Sequence, residues 1–173
     1  MSTRLDLSKL SLMDALDLAK LIEMEACHRY QMFASQFGHS GTYDAGAFFA
    51  SMVENEAKHG QELEERRKKL FGDAPARLTL DDLFDVEAPD MGAPHRGMSL
   101  LEAYEVGLAA EKKAYDFYDL ALPGVTNEEV RELFIELRDE ELEHVDMLKA
   151  QMAKLPESAG EEAEYDLDET PYL

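Results

Sequence analysis

Hydrophobic residues recur at steps of three and four along four long segments of the chain. This is the period of an α-helix that turns one face to a core. The first segment covers residues 11–37, and the second shows the pattern from Phe49 onward. The third opens at Ser99, and the fourth opens at Thr126 and stops before Pro156. Because no segment alternates with the period of two that is typical of strands, the sequence predicts an all-α protein.

Two of the predicted helices begin with the pattern of a capping box. In this motif a Ser or Thr side chain and a Glu three residues later each accept a hydrogen bond from the other's backbone N–H. Ser99 and Glu102 match it, and so do Thr126 and Glu129. These pairs predict where the third and fourth helices begin.

The second and third helices are separated by residues 73–98, where several prolines and glycines break the helical pattern. At up to about 3.3 Å per residue, this segment is long enough to run the length of a bundle. The other two connections are short, which pairs neighbouring helices antiparallel. The sequence therefore predicts a four-helix bundle over residues 1–155, built as two helical hairpins joined by one long crossover. We expect residues 156–173 to form an acidic C-terminal tail.

The chain is strongly acidic, with 38 Asp and Glu against 17 Lys and Arg and a formal net charge of −21. This charge repels nucleic acid and anionic membrane surfaces. No apolar run approaches the roughly 20 residues of a membrane span. The single cysteine, Cys27, excludes a disulfide framework and a four-cysteine metal site. We therefore expect a cytoplasmic protein that binds neither nucleic acid nor membranes.

Six ionisable residues occupy positions where the helical period calls for core side chains. They follow the order Glu, Glu-x-x-His, Glu, Glu-x-x-His: Glu23, Glu56, His59, Glu111, Glu141 and His144. Buried carboxylates are normally protonated, paired or bound to metal, and no Arg or Lys lies on the central parts of these stripes. Two divalent cations would cancel the charge of four confined carboxylates, with neutral histidines completing the coordination. The pattern indicates a dinuclear metal site.

The two halves of the chain repeat this arrangement. "EMEACHRY" at 23–30 aligns with "EKKAYDFY" at 111–118, and "EAKH" aligns with "ELEH". One Glu-x-x-His is a common accident in an acidic helix, whereas two in phase with core stripes form an internal repeat. The repeat also matches Tyr30 with Tyr118. These tyrosines either donate hydrogen bonds to ligand carboxylates or are core aromatics with satisfied hydroxyls.

The repeated ligand pattern resembles the ferritin-like di-iron carboxylate proteins, and among them the rubrerythrin family, over about residues 11–155. The resemblance implies two iron ions per chain, and the ligand types also suit Mn or Zn. It further implies two terminal carboxylates, two bridging carboxylates and one histidine for each metal. Glu23 and Glu111 would be the terminal carboxylates, and Glu56 and Glu141 would be the bridging ones. His59 and His144 would be the histidines.

The chain departs from the rubrerythrin pattern at two points. Rubrerythrins carry a rubredoxin-like domain with four cysteines, whereas this chain has only Cys27, so it would need an external electron donor. Ala114 stands three residues after Glu111, where the family commonly offers an additional glutamate.

The resemblance implies that O₂ or H₂O₂ oxidises the metal site, in a ferroxidase or a peroxide reductase. The four glutamates would take part in this chemistry by binding the metals. Tyr30 and Tyr118 would donate hydrogen bonds to the glutamate carboxylates. Two alternatives remain open: a non-catalytic protein that binds or stores iron, and a metal-free interaction bundle. Ferritin-like domains frequently dimerise, and we expect four exposed apolar residues to serve a homodimer contact: Leu18, Ile22, Leu120 and Leu122.

Overall fold

Four long α-helices dominate the computed structural model of the chain. The structure describes residues 6–38, 43–79, 86, 88–95 and 97–161. The helices are α1 (Leu12–Gly38), α2 (Tyr43–Phe71), α3 (Leu100–Ala121) and α4 (Glu128–Met152). No residue of the described ranges belongs to a strand, so the predicted all-α four-helix bundle is confirmed. None of these helices is long and apolar enough to cross a membrane.

Buried apolar side chains form two clusters, one toward each end of the bundle. The first, the leucine cluster, includes Leu16, Leu18, Ile22, Leu63, Leu122, Leu133 and Phe134. The second, the phenylalanine cluster, includes Phe33, Phe37, Phe48, Phe49 and Met98. In the second cluster the Phe49 ring lies 5.3–6.1 Å, between centroids, from the rings of Tyr30, Phe33 and Phe37. Burying such side chains contributes about 1.5–3 kcal/mol each, so the two clusters hold the bundle together.

The clusters also define the direction of each helix. Because α1 runs from the leucine cluster to the phenylalanine cluster and α2 runs back, the two form an antiparallel hairpin. α3 begins in the phenylalanine cluster at Ala103 and ends in the leucine cluster at Ala121, and α4 pairs with it in a second hairpin. Since α2 and α3 run parallel, residues 73–98 must cross the length of the bundle. The predicted single crossover between two hairpins is confirmed.

The crossover packs against the bundle along its described parts. Near its beginning, Arg77 forms an ion pair with Asp14 in the first turn of α1. Val86 is buried in the leucine cluster, and Met98, at the far end, is buried in the phenylalanine cluster. The crossover therefore touches both ends of the core that it connects.

The two predicted capping boxes have different outcomes. At α3 the Ser99 hydroxyl accepts from the backbone N–H of Glu102, and the Glu102 carboxylate accepts from Ser99 in return, as predicted. At α4 the prediction of Thr126 as the cap was wrong. The Asn127 side chain caps α4 by accepting from two backbone N–H groups, while the Thr126 hydroxyl donates to the carbonyl of Ser8. Asn127 is as good an N-cap as Thr, and it stands one residue closer to the helix.

A buried ion pair that the sequence did not predict joins α1 to the end of α2. Nε of Arg67 donates to the Asp17 carboxylate at 2.8 Å, and both side chains are more than 90% buried. The guanidinium also donates to the carbonyls of Gly72 and Ala74, just beyond α2. Arg67 thus satisfies two backbone carbonyls of the segment that follows α2.

The predicted dimer surface is wrong at three of its four positions. Leu18, Ile22 and Leu122 are 3%, 1% and 7% exposed and belong to the leucine cluster. The prediction assumed that each helix has a single apolar stripe. Because each helix packs on more than one neighbour, its apolar face is wider than that stripe and includes these residues. Only Leu120, which is 63% exposed, lies on the surface as expected.

The beginning of the predicted tail packs on the bundle. Residues Glu157–Gly160 form a short 3₁₀ turn against α3, and Ala159 is buried there. The remainder of the tail, residues 162–173, lies outside the described residues. The boundary at residue 155 stays a prediction.

Gly107 of α3 permits a close approach to α2. A Cβ atom there would lie 2.7 Å from Cζ of the buried Phe48, whose ring also packs on Tyr104 at a centroid distance of 4.2 Å. We expect Gly107→Ala to lower the free energy of unfolding by about 1–3 kcal/mol, because the buried ring has to move. Chemical denaturation of the metal-free protein measures this change.

Gly60→Ala is the matched control, because Gly60 also lies inside a helix. Its added Cβ would meet only Cβ of Glu23, at an ordinary 3.6 Å. Because glycine loses more conformational entropy on folding than alanine does, this variant should be more stable by about 0.5–1 kcal/mol. Equal effects of the two substitutions would contradict the close approach at Gly107.

Candidate metal centre

The four inward-facing glutamates lie in the middle of the bundle, between its two apolar clusters. On α1, for example, Glu23 falls between Ile22 of the leucine cluster and Ala26 of the phenylalanine cluster. Glu56, Glu111 and Glu141 occupy the equivalent level of the other helices, and each of the four is at most 2% exposed. The helical period explains why these side chains face the core, because residues three and four apart lie on the same face of a helix. The structure thus places all four carboxylates in the core.

The six candidate ligands form two trios of side chains, and each hairpin provides one trio. The first trio is Glu23, Glu56 and His59, from α1 and α2. The second trio is Glu111, Glu141 and His144, from α3 and α4. In each trio one ligand atom per residue can be chosen so that all three lie within 4.8 Å of one another, close enough to share one metal ion.

The two trios meet through their histidines. The rings of His59 and His144 stack with centroids 4.7 Å apart and planes within 2° of parallel. Both side chains are mostly buried, with 24% and 18% of their surface exposed. The internal repeat of the sequence therefore appears in three dimensions as two adjoining half-sites.

The trios differ in how tightly they close. In the second trio Nδ1 of His144 lies 3.1 Å from Oε2 of Glu111, a hydrogen-bond distance, and 3.5 Å from Oε2 of Glu141. In the first trio Nδ1 of His59 lies 3.7 Å from Oε2 of Glu23, beyond hydrogen-bond reach. Glu111 and His144 are thus within hydrogen-bond distance, whereas Glu23 and His59 are farther apart.

Several carboxylate oxygens in this region are buried without a hydrogen bond to the described part of the chain. They are Oε2 of Glu23, Oε1 of Glu111 and Oε2 of Glu141. A buried polar atom left unsatisfied costs about 1–3 kcal/mol, and more if it is charged. A cation accepts electron pairs from such oxygens, so the donor set fits divalent metal ions.

The ionisation of the second trio is strongly perturbed. Burial raises the pKa of Glu141 to about 8. Burial alone would lower the pKa of His144, but hydrogen bonds to Glu111 and Glu141 outweigh it and raise that pKa to about 10. Protons therefore compensate part of the buried negative charge when no cation does so.

The two repeat tyrosines are core residues. Tyr30 and Tyr118 are fully buried, Tyr30 beside Phe49 and Tyr118 edge-on to Phe134. Their role as hydrogen-bond donors to ligand carboxylates stays a prediction. Ala114 is also fully buried, so a methyl group occupies the position where an additional glutamate was considered.

Beside the first trio lies a cavity of about 140 Å³ that the sequence analysis missed. We call it the acidic cavity, and its lining comprises Glu23, His59, Glu62, Leu63, Arg66, Glu136, Leu137 and Glu140. One signal was present in the sequence, because Glu62 lies one helical turn beyond His59. Glu136 and Glu140 come from α4, and only the packing of α4 on α2 brings them to the same place.

A four-helix bundle with two Glu-Glu-His trios in its core has the architecture and donor set of the ferritin-like carboxylate proteins. The rubrerythrin family profile matches residues 14–152. The chain therefore belongs to the rubrerythrin family.

One solved structure with a similar fold is an uncharacterized conserved protein from Magnetospirillum magnetotacticum. It is 26% identical in sequence, with a TM-score of 0.64, and the match covers 85% of this chain and 97% of that one. Comparison with curated proteins gives no match.

The raised pKa values predict that the metal-free protein loses stability as the pH rises. Folding favours the protonated form of both groups. The contribution of Glu141 is complete below its ordinary pKa of 4.5 and is lost as the pH passes about 8. That of His144 is complete below 6.5 and is lost as the pH passes about 10. We expect the Tm of the chelator-treated protein, followed by circular dichroism, to fall over this range.

The Glu141→Gln variant separates this effect from the general acidity of the chain. Its amide does not titrate, so its Tm should decline less steeply with pH than that of the parent protein. Parallel declines in the two proteins would show that the buried carboxyl does not contribute.

Proposed function

We propose that the chain binds two iron ions, one in each trio, and that O₂ or H₂O₂ oxidises them in a ferroxidase or peroxide reductase of rubrerythrin type. The main support is the pair of matched trios, in which Oε2 of Glu23, Oε1 of Glu111 and Oε2 of Glu141 are buried and accept no hydrogen bond from the described residues. Two bound cations would account for the burial of four carboxylates at one level of the core, where unpaired charges are costly.

The ligand roles follow the rubrerythrin resemblance. Glu23 and Glu111 would each bind one metal terminally, and Glu56 and Glu141 would bridge the two. His59 and His144 would each complete the coordination of one metal ion. Two divalent ions balance four carboxylates in charge, and this mixture of carboxylate and imidazole suits Fe(II) or Mn(II), although Zn(II) accepts the same ligands.

The protein contributes control over protons and a largely apolar surrounding for the centre. Since metal ligands must be deprotonated, cation binding displaces the protons that the raised pKa values of Glu141 and His144 retain. The apolar clusters cover the centre on two sides, which limits the access of water to it. Bound iron would supply two electrons, one from each Fe(II), which together with two protons reduce one H₂O₂ to two waters.

Repeated turnover requires an electron donor from outside the chain. Cys27 is the only cysteine, and its partly buried thiol lies 3.7 Å from the carbonyl oxygen of Val53. Burial raises the pKa of this thiol, and the nearby Glu23 adds to the effect, so it is a poor redox nucleophile. We expect a separate reductant to return the oxidised centre to the ferrous state.

Iron binding or storage without turnover is the second candidate. It is favoured by Ala114, because the centre has no further carboxylate at the position where rubrerythrins commonly offer one. A metal-free interaction bundle explains the structure less well, since it leaves the unsatisfied carboxylate oxygens without a role.

The first prediction of this proposal concerns metal content. After anaerobic loading with Fe(II) and desalting, we expect about two irons per chain, one for each trio. The Glu56→Ala/Glu141→Ala variant should lose them, because each trio then lacks a carboxylate. Glu54→Ala/Glu143→Ala is the matched control, since it removes two exposed glutamates from the same helices and should retain the metal. Full iron binding by the first variant would refute the site.

The second prediction concerns turnover. With excess H₂O₂ and a chemical reductant, the loaded parent protein should consume many equivalents of peroxide per chain. A single stoichiometric oxidation, followed by retention of ferric iron, would instead establish the binding or storage alternative. Peroxide consumption and protein-bound iron, measured on the same sample, distinguish the two.

A further inference from the structure

The acidic cavity lies between α1, α2 and α4, directly beside the first trio. Glu23 and His59 form its inner end, and its volume of about 140 Å³ exceeds that of a single water, about 30 Å³ in the liquid. No member of the second trio lines it. Of the two half-sites, the first is therefore the one that this cavity reaches.

A ligand is indicated at the inner end of the cavity. The Glu23 side chain is buried, and its Oε2 accepts no hydrogen bond from the described residues. His59, its neighbour in the cavity wall, lies too far away to satisfy that oxygen. A buried carboxylate oxygen at the end of a cavity calls for a cation, because a cation compensates both its charge and its missing hydrogen bond.

The charge of the cavity wall has the sign that attracts cations. Four carboxylates face one guanidinium, and Arg66 is already engaged with both oxygens of Glu136, at 2.9 and 2.8 Å. Glu62 lies 3.7 Å from the exposed Lys58, a pair that solvent screens. Glu140 forms no ion pair with any described residue. Glu62 and Glu140 thus keep a negative potential between the surface and Glu23.

The two half-sites differ in a way that fits delivery to the first. Glu23 and His59 are not hydrogen-bonded to each other, whereas His144 is within hydrogen-bond distance of Glu111. A cation that arrives between Glu23 and His59 has no hydrogen bond between these two residues to break, whereas one that arrives between Glu111 and His144 has to displace theirs.

We propose that the acidic cavity is the route by which hydrated divalent cations reach the centre, attracted by Glu62 and Glu140 and received by Glu23 and His59. The inference rests on the proposed metal site, but it concerns the rate of uptake rather than the final ligands. Glu62 and Glu140 act on the cation in transit and are not retained as ligands.

Stopped-flow uptake of Co²⁺ by the metal-free protein tests the route, with the visible absorbance of bound Co²⁺ as the signal. Glu62→Gln/Glu140→Gln removes two charges and leaves the side-chain shapes nearly unchanged. At low ionic strength we expect uptake to slow about tenfold, with unchanged stoichiometry and final spectrum. Added salt should reduce the difference, because it screens the same charges.

Glu54→Gln/Glu132→Gln is the matched control, with two exposed glutamates of α2 and α4 that do not line the cavity. It should take up Co²⁺ at nearly the parental rate. Equal slowing of both variants would mean that only total charge matters, and this would overturn the route.

The remaining outcomes separate the route from the metal site itself. If the parent binds Co²⁺ and the cavity variant binds it equally fast, the route is wrong and the site stands. If the cavity variant loses an equivalent of Co²⁺, Glu62 or Glu140 is a ligand, and the transit role is wrong. If the parent binds no Co²⁺, both the route and the proposed site fail.

Discussion

Mutual repulsion among four buried carboxylates is the constraint around which this bundle is arranged. Glu23, Glu56, Glu111 and Glu141 share one level of the core, where burial weakens the screening of their charges by water. The leucine and phenylalanine clusters on either side provide the apolar contacts that keep the helices together despite this cost. Protons relieve the repulsion in part, and two divalent cations would relieve it fully. The apolar packing thus stabilises a centre that is unfavourable by itself.

The sequence predicted the architecture and the inward carboxylates because both depend on the helical period. A residue's phase within one helix follows from counting, so Glu56 and His59 could be assigned to the core face without knowing any partner. The family resemblance, now confirmed by the match over residues 14–152, rested on the same spacing. Local features with competing candidates were less certain. Both Thr126 and Asn127 can cap a helix, and spacing alone selected the wrong one.

Features that depend on how the helices pack were not predicted. The Arg67–Asp17 pair joins residues 50 positions apart, and Arg66–Glu136 joins residues 70 apart. Their formation depends on the rotation and register of one helix against another, which the pattern within either helix does not specify. The same reason explains why Leu18 and Ile22 were taken for surface residues, and why the acidic cavity went unnoticed.

Each trio is completed within one hairpin, and this determines what the long crossover does. In its described parts, residues 73–98 contribute no side chain to either trio. These described parts of the crossover therefore act as a tether, which keeps two half-centres at a high effective concentration and supplies no ligand. Its contacts with the bundle, such as the ion pair of Arg77 with Asp14, contribute to the stability with which the two hairpins associate. The candidate ligands all lie on the hairpins, so the tether is constrained by its span and by its packing on the bundle rather than by metal coordination.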